Sequence, residues 1–107
     1  GRRSQPDGAS PWVADSPCTL MIRNLNCRYT QKDVKRVLDE SGLIGKYTFI
    51  YMPFVPSRRF SVGYAFVRFR TGPYASECRQ LFHGCHFGQG NPTKPCEVVL
   101  ARNQGDV

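Results

Sequence analysis

Apolar and polar positions alternate most cleanly over two short stretches of the chain. In Leu20-Met21-Ile22-Arg23, Leu20 and Ile22 share one face and Met21 and Arg23 the other, the period of a half-buried strand. In Val62-Gly63-Tyr64-Ala65-Phe66-Val67-Arg68-Phe69, Ala65, Val67 and Phe69 fall on one side and Tyr64 and Phe66 on the other. Between these stretches the period changes. Thr30 followed by Asp33 has the spacing of a capping box, Val34, Val37 and Leu38 mark one face of a helix, and Ser41-Gly42 stops it. Lys32, Lys35 and Arg36 lie mostly off that face, as a solvated side does. Tyr47 to Met52 is apolar on both faces, so periodicity predicts a strand without orienting it.

Pro53, Pro56, Ser57, Arg58 and Arg59 then form a long hairpin loop leading to the Tyr64–Phe69 strand. Thr71-Gly72-Pro73 opens a second helix, with Thr71 as cap and Pro73 in the first turn. Ala75, Cys78, Leu81 and Phe82 have the spacing of one buried stripe, which makes Cys78 a core side chain and not a nucleophile. Gly84 to Pro95 is rich in turn residues. Cys96 to Ala101 is the last strand, with Val98 and Leu100 inward and Glu97 and Val99 outward. The order strand, helix, strand, strand, helix, strand predicts an α+β, ferredoxin-like βαββαβ fold: a four-stranded antiparallel sheet packed on two helices, one sheet face open. Residues 1–16, rich in Gly, Pro, Ser and Asp, read as a disordered arm, 17–103 as the folded domain and 104–107 as a tail.

Composition narrows the chemistry. The chain has 107 residues, enough for one modest core. Its five cysteines form no C-x-x-C pair and are odd in number, which predicts free thiols in a reducing, intracellular compartment, nuclear or cytoplasmic. No run approaches the roughly 18 apolar residues of a membrane span, so a soluble protein with no membrane partner is expected. A net charge of +7 and a pI near 9.5 favour polyanionic partners and say nothing of the fold.

Seven of eight positions in Val62–Phe69 fit the ribonucleoprotein octamer K/R-G-F/Y-G/A-F-V-x-F/Y, and Leu20–Leu25 stands upstream where its companion hexamer belongs. The chain therefore resembles an RNA recognition motif. Thr19–Leu25, Arg28-Tyr29-Thr30, Phe49–Pro53, Val62–Phe66, Cys96-Glu97-Val98 and Ala101-Arg102-Asn103-Gln104-Gly105 are similar to the C-terminal RNA recognition motif of the Mei-two-like meiosis regulators. Met21, where most such domains carry an aromatic, and the A-R-x-Q-G string are specific to that subfamily. Asn26-Cys27 and Leu100 depart from it, where a Pro and a Tyr are usual. The resemblance implies Ile50 and Met52 in the core, Phe49 and Tyr51 on the open face, and a part in meiotic or developmental RNA regulation within a larger protein.

On that basis single-stranded RNA is the expected partner. Tyr64 and Phe66 stack bases, Tyr51 extends the platform and Met21 offers a softer apolar contact. Arg23, Arg68 and Arg102 neutralise phosphate or hydrogen-bond base edges. Arg58 and Arg59 are candidates to pinch phosphates, and Asn24 is a turn residue at a strand end. The main rival is a protein- or peptide-binding module on the same scaffold, favoured by Met21 and by Val62 in place of Lys or Arg. Against it, Cys85-His86-Phe87 replaces the Arg-x-Phe of such binders, and the first helix is not acidic. Cys78, His83, Cys85 and His86 match no standard zinc spacing, so no metal or cofactor is expected. Both histidines sit in one loop with no paired carboxylates, and Cys27 lacks a base partner. Neither catalysis nor a small-molecule substrate is therefore expected; further protein partners would act through the rest of the parent protein.

Overall fold

Alternation turns into burial along the first strand, β1 (Cys18–Arg23), where Leu20 and Ile22 are wholly buried while Met21 is half-buried and Arg23 exposed. The computed structural model describes residues 10–26, 28–53, 63–87, 94–102 and 104. After β1 come helix α1 (Gln31–Leu38), strand β2 (Tyr47–Tyr51), strand β3 (Ala65–Phe69), helix α2 (Gly72–Phe82) and strand β4 (Glu97–Leu100). The strands form one antiparallel sheet in the order β2-β3-β1-β4. This is the ferredoxin-like arrangement expected, with β1 and β3 at the centre. The expected contact residues Arg58 and Arg59, together with Val62 and Cys27, lie outside the described residues.

Helix α1 starts where the capping box predicts. The Thr30 hydroxyl accepts from the Asp33 backbone N–H, and an Asp33 carboxylate oxygen accepts from the Thr30 N–H at 2.8 Å, so two otherwise orphaned donors are satisfied reciprocally. After Leu38 the helix widens into a π-turn over Asp39–Leu43, and Gly42, at φ +91°, turns the chain out of it. Leu43 comes back into the core, beside Val34 and Leu38.

One face of the sheet carries Leu20, Ile22, Ala65, Val67, Phe69 and Val98, all without solvent exposure, against Val34 and Leu38 of α1 and Ala75 and Cys78 of α2. Burying each large aliphatic or aromatic side chain contributes about 1.5–3 kcal/mol. Burial pushes the Cys78 thiol up to about 12 and the Cys96 thiol to about 11, so both are neutral core side chains. No disulfide joins Cys18, Cys78, Cys85 or Cys96.

Two local expectations change. Leu81, assigned to the buried stripe of α2, is 42 % exposed. Phe82, expected in the same stripe, is buried as expected and lays its ring 4.6 Å from that of the buried Phe87. Residues 10–16, where composition predicts a disordered arm, dock against α2. The Gly72 N–H donates to the Ala14 carbonyl at 2.8 Å, and the Arg79 guanidinium stacks on the Trp12 ring at 5.4 Å.

That docking sets the sign of one substitution. A Cβ at Gly72 would collide with the backbone of Pro11, Trp12 and Ala14. Gly72→Ala is expected to lower stability by about 1–3 kcal/mol in the full chain. In a chain beginning at Pro17 it should be neutral or stabilising by up to about 1 kcal/mol, since Ala is the better helix former. Urea unfolding of the four proteins decides, and equal effects in both backgrounds would mean the segment does not dock.

Acid stability follows from the carboxylates of α1. Asp33 is held below the usual carboxylate range first by the Thr30 backbone N–H and then by Arg36, and Asp39 by Lys35 and the Tyr47 hydroxyl. Lowered folded values mean that the unfolded chain takes up protons first. Their stabilisation is full above the ordinary range near 4 and is lost as pH falls through the lowered values. Melting temperatures from about pH 6 to about pH 2 should fall most steeply at the acid end, and Asp33→Asn should flatten that limb.

Candidate nucleic-acid interface

On the uncovered face of the sheet one row runs across all four strands. Tyr51 pairs with Phe66, Phe66 with Met21, and Met21 with Val99. The Tyr51 and Phe66 rings lie 6.3 Å apart and within 18° of parallel. Phe49 extends the series, 6.5 Å from Tyr51 at 13°. Tyr64 meets Phe66 edge-on at 5.8 Å. Four contiguous rings thus lie on the open side, and Phe49 and Tyr51 are 40 % and 45 % exposed. Leaving such rings uncovered forgoes burial that the core would reward.

The site residues expected from the sequence come together here in part. Met21 sits beside Phe66, where an added ring would meet no core. Arg68 occupies the next row, opposite Phe49 on one side and Thr19 on the other, and no carboxylate pairs with it among the described residues. Arg102 is exposed just beyond β4. Arg23 is the exception, because its guanidinium is 3.3 Å from Glu97, so any phosphate must compete with that carboxylate. Both partners of the pair are about half exposed, which makes it weak. Asn24 is the turn residue expected: at φ +64° it adopts the left-handed conformation, and its side-chain amide donates to the Pro95 carbonyl at 3.1 Å.

Two features of the face go beyond the sequence reading. Alternation back from Phe49 would put Tyr47 on the open face. An irregularity between Tyr47 and Phe49 instead sets Tyr47 opposite Phe69 and packs it against the core, its ring 6.3 Å from that of Phe69. Gln104 closes the face beyond Arg68. Its side-chain amide acts like one more β4 residue: Oε1 accepts from the Thr19 N–H at 2.7 Å, and Nε2 donates to the Thr19 and Ala101 carbonyls at 2.8 and 2.6 Å. Thr19, though on the open side, is therefore buried. In the sequence Gln104 is only a letter of the A-R-x-Q-G string, since nothing local says what a glutamine 85 residues from Thr19 will bond. Phe49 was legible as an open-face residue but was not counted among the contacts.

The zinc candidates do not assemble. Cys78 is wholly buried, and His83 Nδ1 accepts from the Val98 N–H at 3.0 Å, tying the end of α2 to β4.

A four-stranded antiparallel sheet with helices on one side and aromatic rings on the open face of β2 and at β3 is the architecture of an RNA recognition motif. The chain belongs to the RNA recognition motif 2 family, whose profile it matches over residues 17–107. Among curated relatives it is 35 % identical to Protein MEI2-like 4 of Oryza sativa subsp. japonica over 91 residues, 85 % of this chain and 9 % of that protein. It is 33 % identical to Protein MEI2-like 5 of Arabidopsis thaliana, of which it covers 11 %, and 30 % identical to Protein terminal ear1 of Zea mays, of which it covers 16 %. The chain thus spans about a tenth of the length of these two MEI2-like relatives. Among solved structures it resembles the Rna15 RNA recognition motif with bound GU RNA, with a TM-score of 0.63 at 20 % identity over 83 % of this chain and 86 % of that one. It also resembles the C-terminal motif of MEC-8 bound to AGCACA, with a TM-score of 0.64 at 18 % identity over 86 % of this chain and 99 % of that one.

The Gln104 amide predicts an ordered mutant series. Gln104→Ala leaves the Thr19 N–H without its partner in a covered site and should cost about 1–3 kcal/mol. Gln104→Glu should cost more at neutral pH, because a carboxylate would then face two carbonyl oxygens that Nε2 now serves. Denaturant midpoints of the three proteins check the order. A Glu variant as stable as the parent would show that Nε2 donates nothing of consequence.

Proposed function

We propose that this domain binds single-stranded RNA by stacking unpaired bases on Tyr51, Phe66 and Phe49, with Tyr64 walling one end and Met21 giving a softer contact on the central strand. The observation that carries the reading is the row of near-parallel, solvent-facing rings across β2 and β3. Every base has a π-face, so such a row accepts a single strand without demanding one sequence, whereas paired bases cannot reach it. Arg68, on the platform and free of any carboxylate among the described residues, is the first choice for a phosphate; Arg102 and Arg23 serve from the rim. Membership of the family and the RNA bound by two structural neighbours support the ligand class. The role is one of binding, not catalysis.

The Mei-two-like relatives support a place in meiotic or developmental RNA regulation inside a much longer intracellular protein, whose other parts would bring further partners. Among the described residues no helix is long and apolar enough to cross a membrane.

Replacing both Tyr64 and Phe66 by Ala tests the mechanism. Neither belongs to the fully buried set, so the melting midpoint should move little, while RNA binding should lose about 1–3 kcal/mol for each stack removed. Binding of the parent should weaken with salt at a log-log slope of roughly −1.5 to −3, for about two to four phosphates neutralised, and Arg68→Gln should reduce that slope by about 0.7. A folded double mutant that binds RNA as well as the parent sinks the stacking reading and leaves diffuse charge or peptide binding in its place.

A further inference from the structure

Beside the platform, on the far side of β2, lies a groove of about 280 Å³ between α1 and the sheet edge, lined by Gln31, Lys32 and Lys35 of the helix and Tyr47, Thr48, Phe49 and Ile50 of the strand. That is just under the roughly 300 Å³ where small-ligand pockets begin, room for one planar ring system. We propose that this groove takes a further nucleotide of the same single-stranded RNA, its base against the β2 wall and its phosphate at Lys32. The proposal rests on the single-stranded RNA reading and extends the path of the strand beyond the platform.

Three observations converge on it. Phe49 belongs to both surfaces: its ring runs parallel to Tyr51 on the platform and the residue also lines the groove, so a strand leaving Tyr51 meets the groove at once. β2 is the edge of the sheet, and no described strand stands in the way. Lys32 is the uncommitted cation. Lys35 is held by Asp39 at 2.7 Å and Arg36 by Asp33 at 2.9 Å, whereas Lys32 meets no carboxylate among the described residues and no acidic side chain lines this groove. Asp39 and Glu40 stand further along α1, in a neighbouring hollow shared with Lys32, Lys35 and Arg36, and Asp39 is occupied by Lys35 and Tyr47. An extended peptide adding to the β2 edge is the competing occupant. The irregularity between Tyr47 and Phe49 disfavours it, because strand addition needs an unbroken row of edge groups.

The test uses randomised single-stranded RNA pools of roughly four and roughly eight nucleotides, the first near the lower end of site sizes for such platforms. In the full chain, Lys32→Gln should leave tetramer affinity within about 1.5-fold, weaken octamer affinity about 3- to 5-fold, and lower the octamer's log-log salt slope by about 0.7. Backbone amide signals of Gln31, Lys32 and Thr48 should move with the octamer and stay still with the tetramer. Equal losses for both lengths, no loss for either, or amides that move with an extended peptide and with no RNA would each overturn the groove assignment while leaving the platform to be judged on its own. A parent protein that binds neither pool removes the RNA reading itself, so the two failures are distinguishable.

Discussion

One-sided burial of the two central strands is the constraint on which the rest of the molecule depends. Leu20 and Ile22 of β1 and Ala65, Val67 and Phe69 of β3 all point into the helices, and each is fully buried. Because side chains in a strand alternate with period two, sinking those five commits Met21, Phe66 and Arg68 to the opposite side with no freedom in the matter. A slip of one residue would drive Phe66 and Arg68 into the core and expose Val67 and Phe69, at a cost of several buried side chains. The register of the core is therefore also the register of the interface.

The open face acquires its limits from contacts that no strand pattern contains. Gln104 seals it beyond Arg68 by lending β1 the amide that β4 no longer supplies, and so buries Thr19 on the side where solvent would otherwise reach it. The irregularity in β2 turns Tyr47 under the sheet, where its hydroxyl donates to Asp39 and its ring edges against Phe69. The same Asp39 holds Lys35.

Helix α1 shows how support and recognition can share one element. Val34 and Leu38 hold the core while Lys32, on the solvent side of the same helix, lines the groove with Phe49. Sequence periodicity separates those two sides correctly. It cannot say that the solvent side ends against an exposed ring of β2, since that depends on how the helix crosses the sheet.

Alternation in β1 and β3, the capping box at Thr30 and Asp33, and the helix stop at Gly42 are local, and the sequence by itself determined them: the order of elements, the fold class, and Tyr64 and Phe66 as companions on one face. β2 was legible as a strand, but its orientation was not, because Tyr47, Phe49, Ile50 and Tyr51 are apolar on both sides and only packing distinguishes them. Leu81 and Phe82 both fit the spacing of the buried stripe on α2, and only the packing of Phe82 against Phe87 shows which of the two neighbours is buried. Gln104 on Thr19, Trp12 under Arg79, and Glu97 beside Arg23 each join residues distant in the chain. Such pairings exist only once the sheet has brought its strands together, so the tertiary structure alone decided them, and with them which parts of the basic, aromatic surface remain open to a ligand.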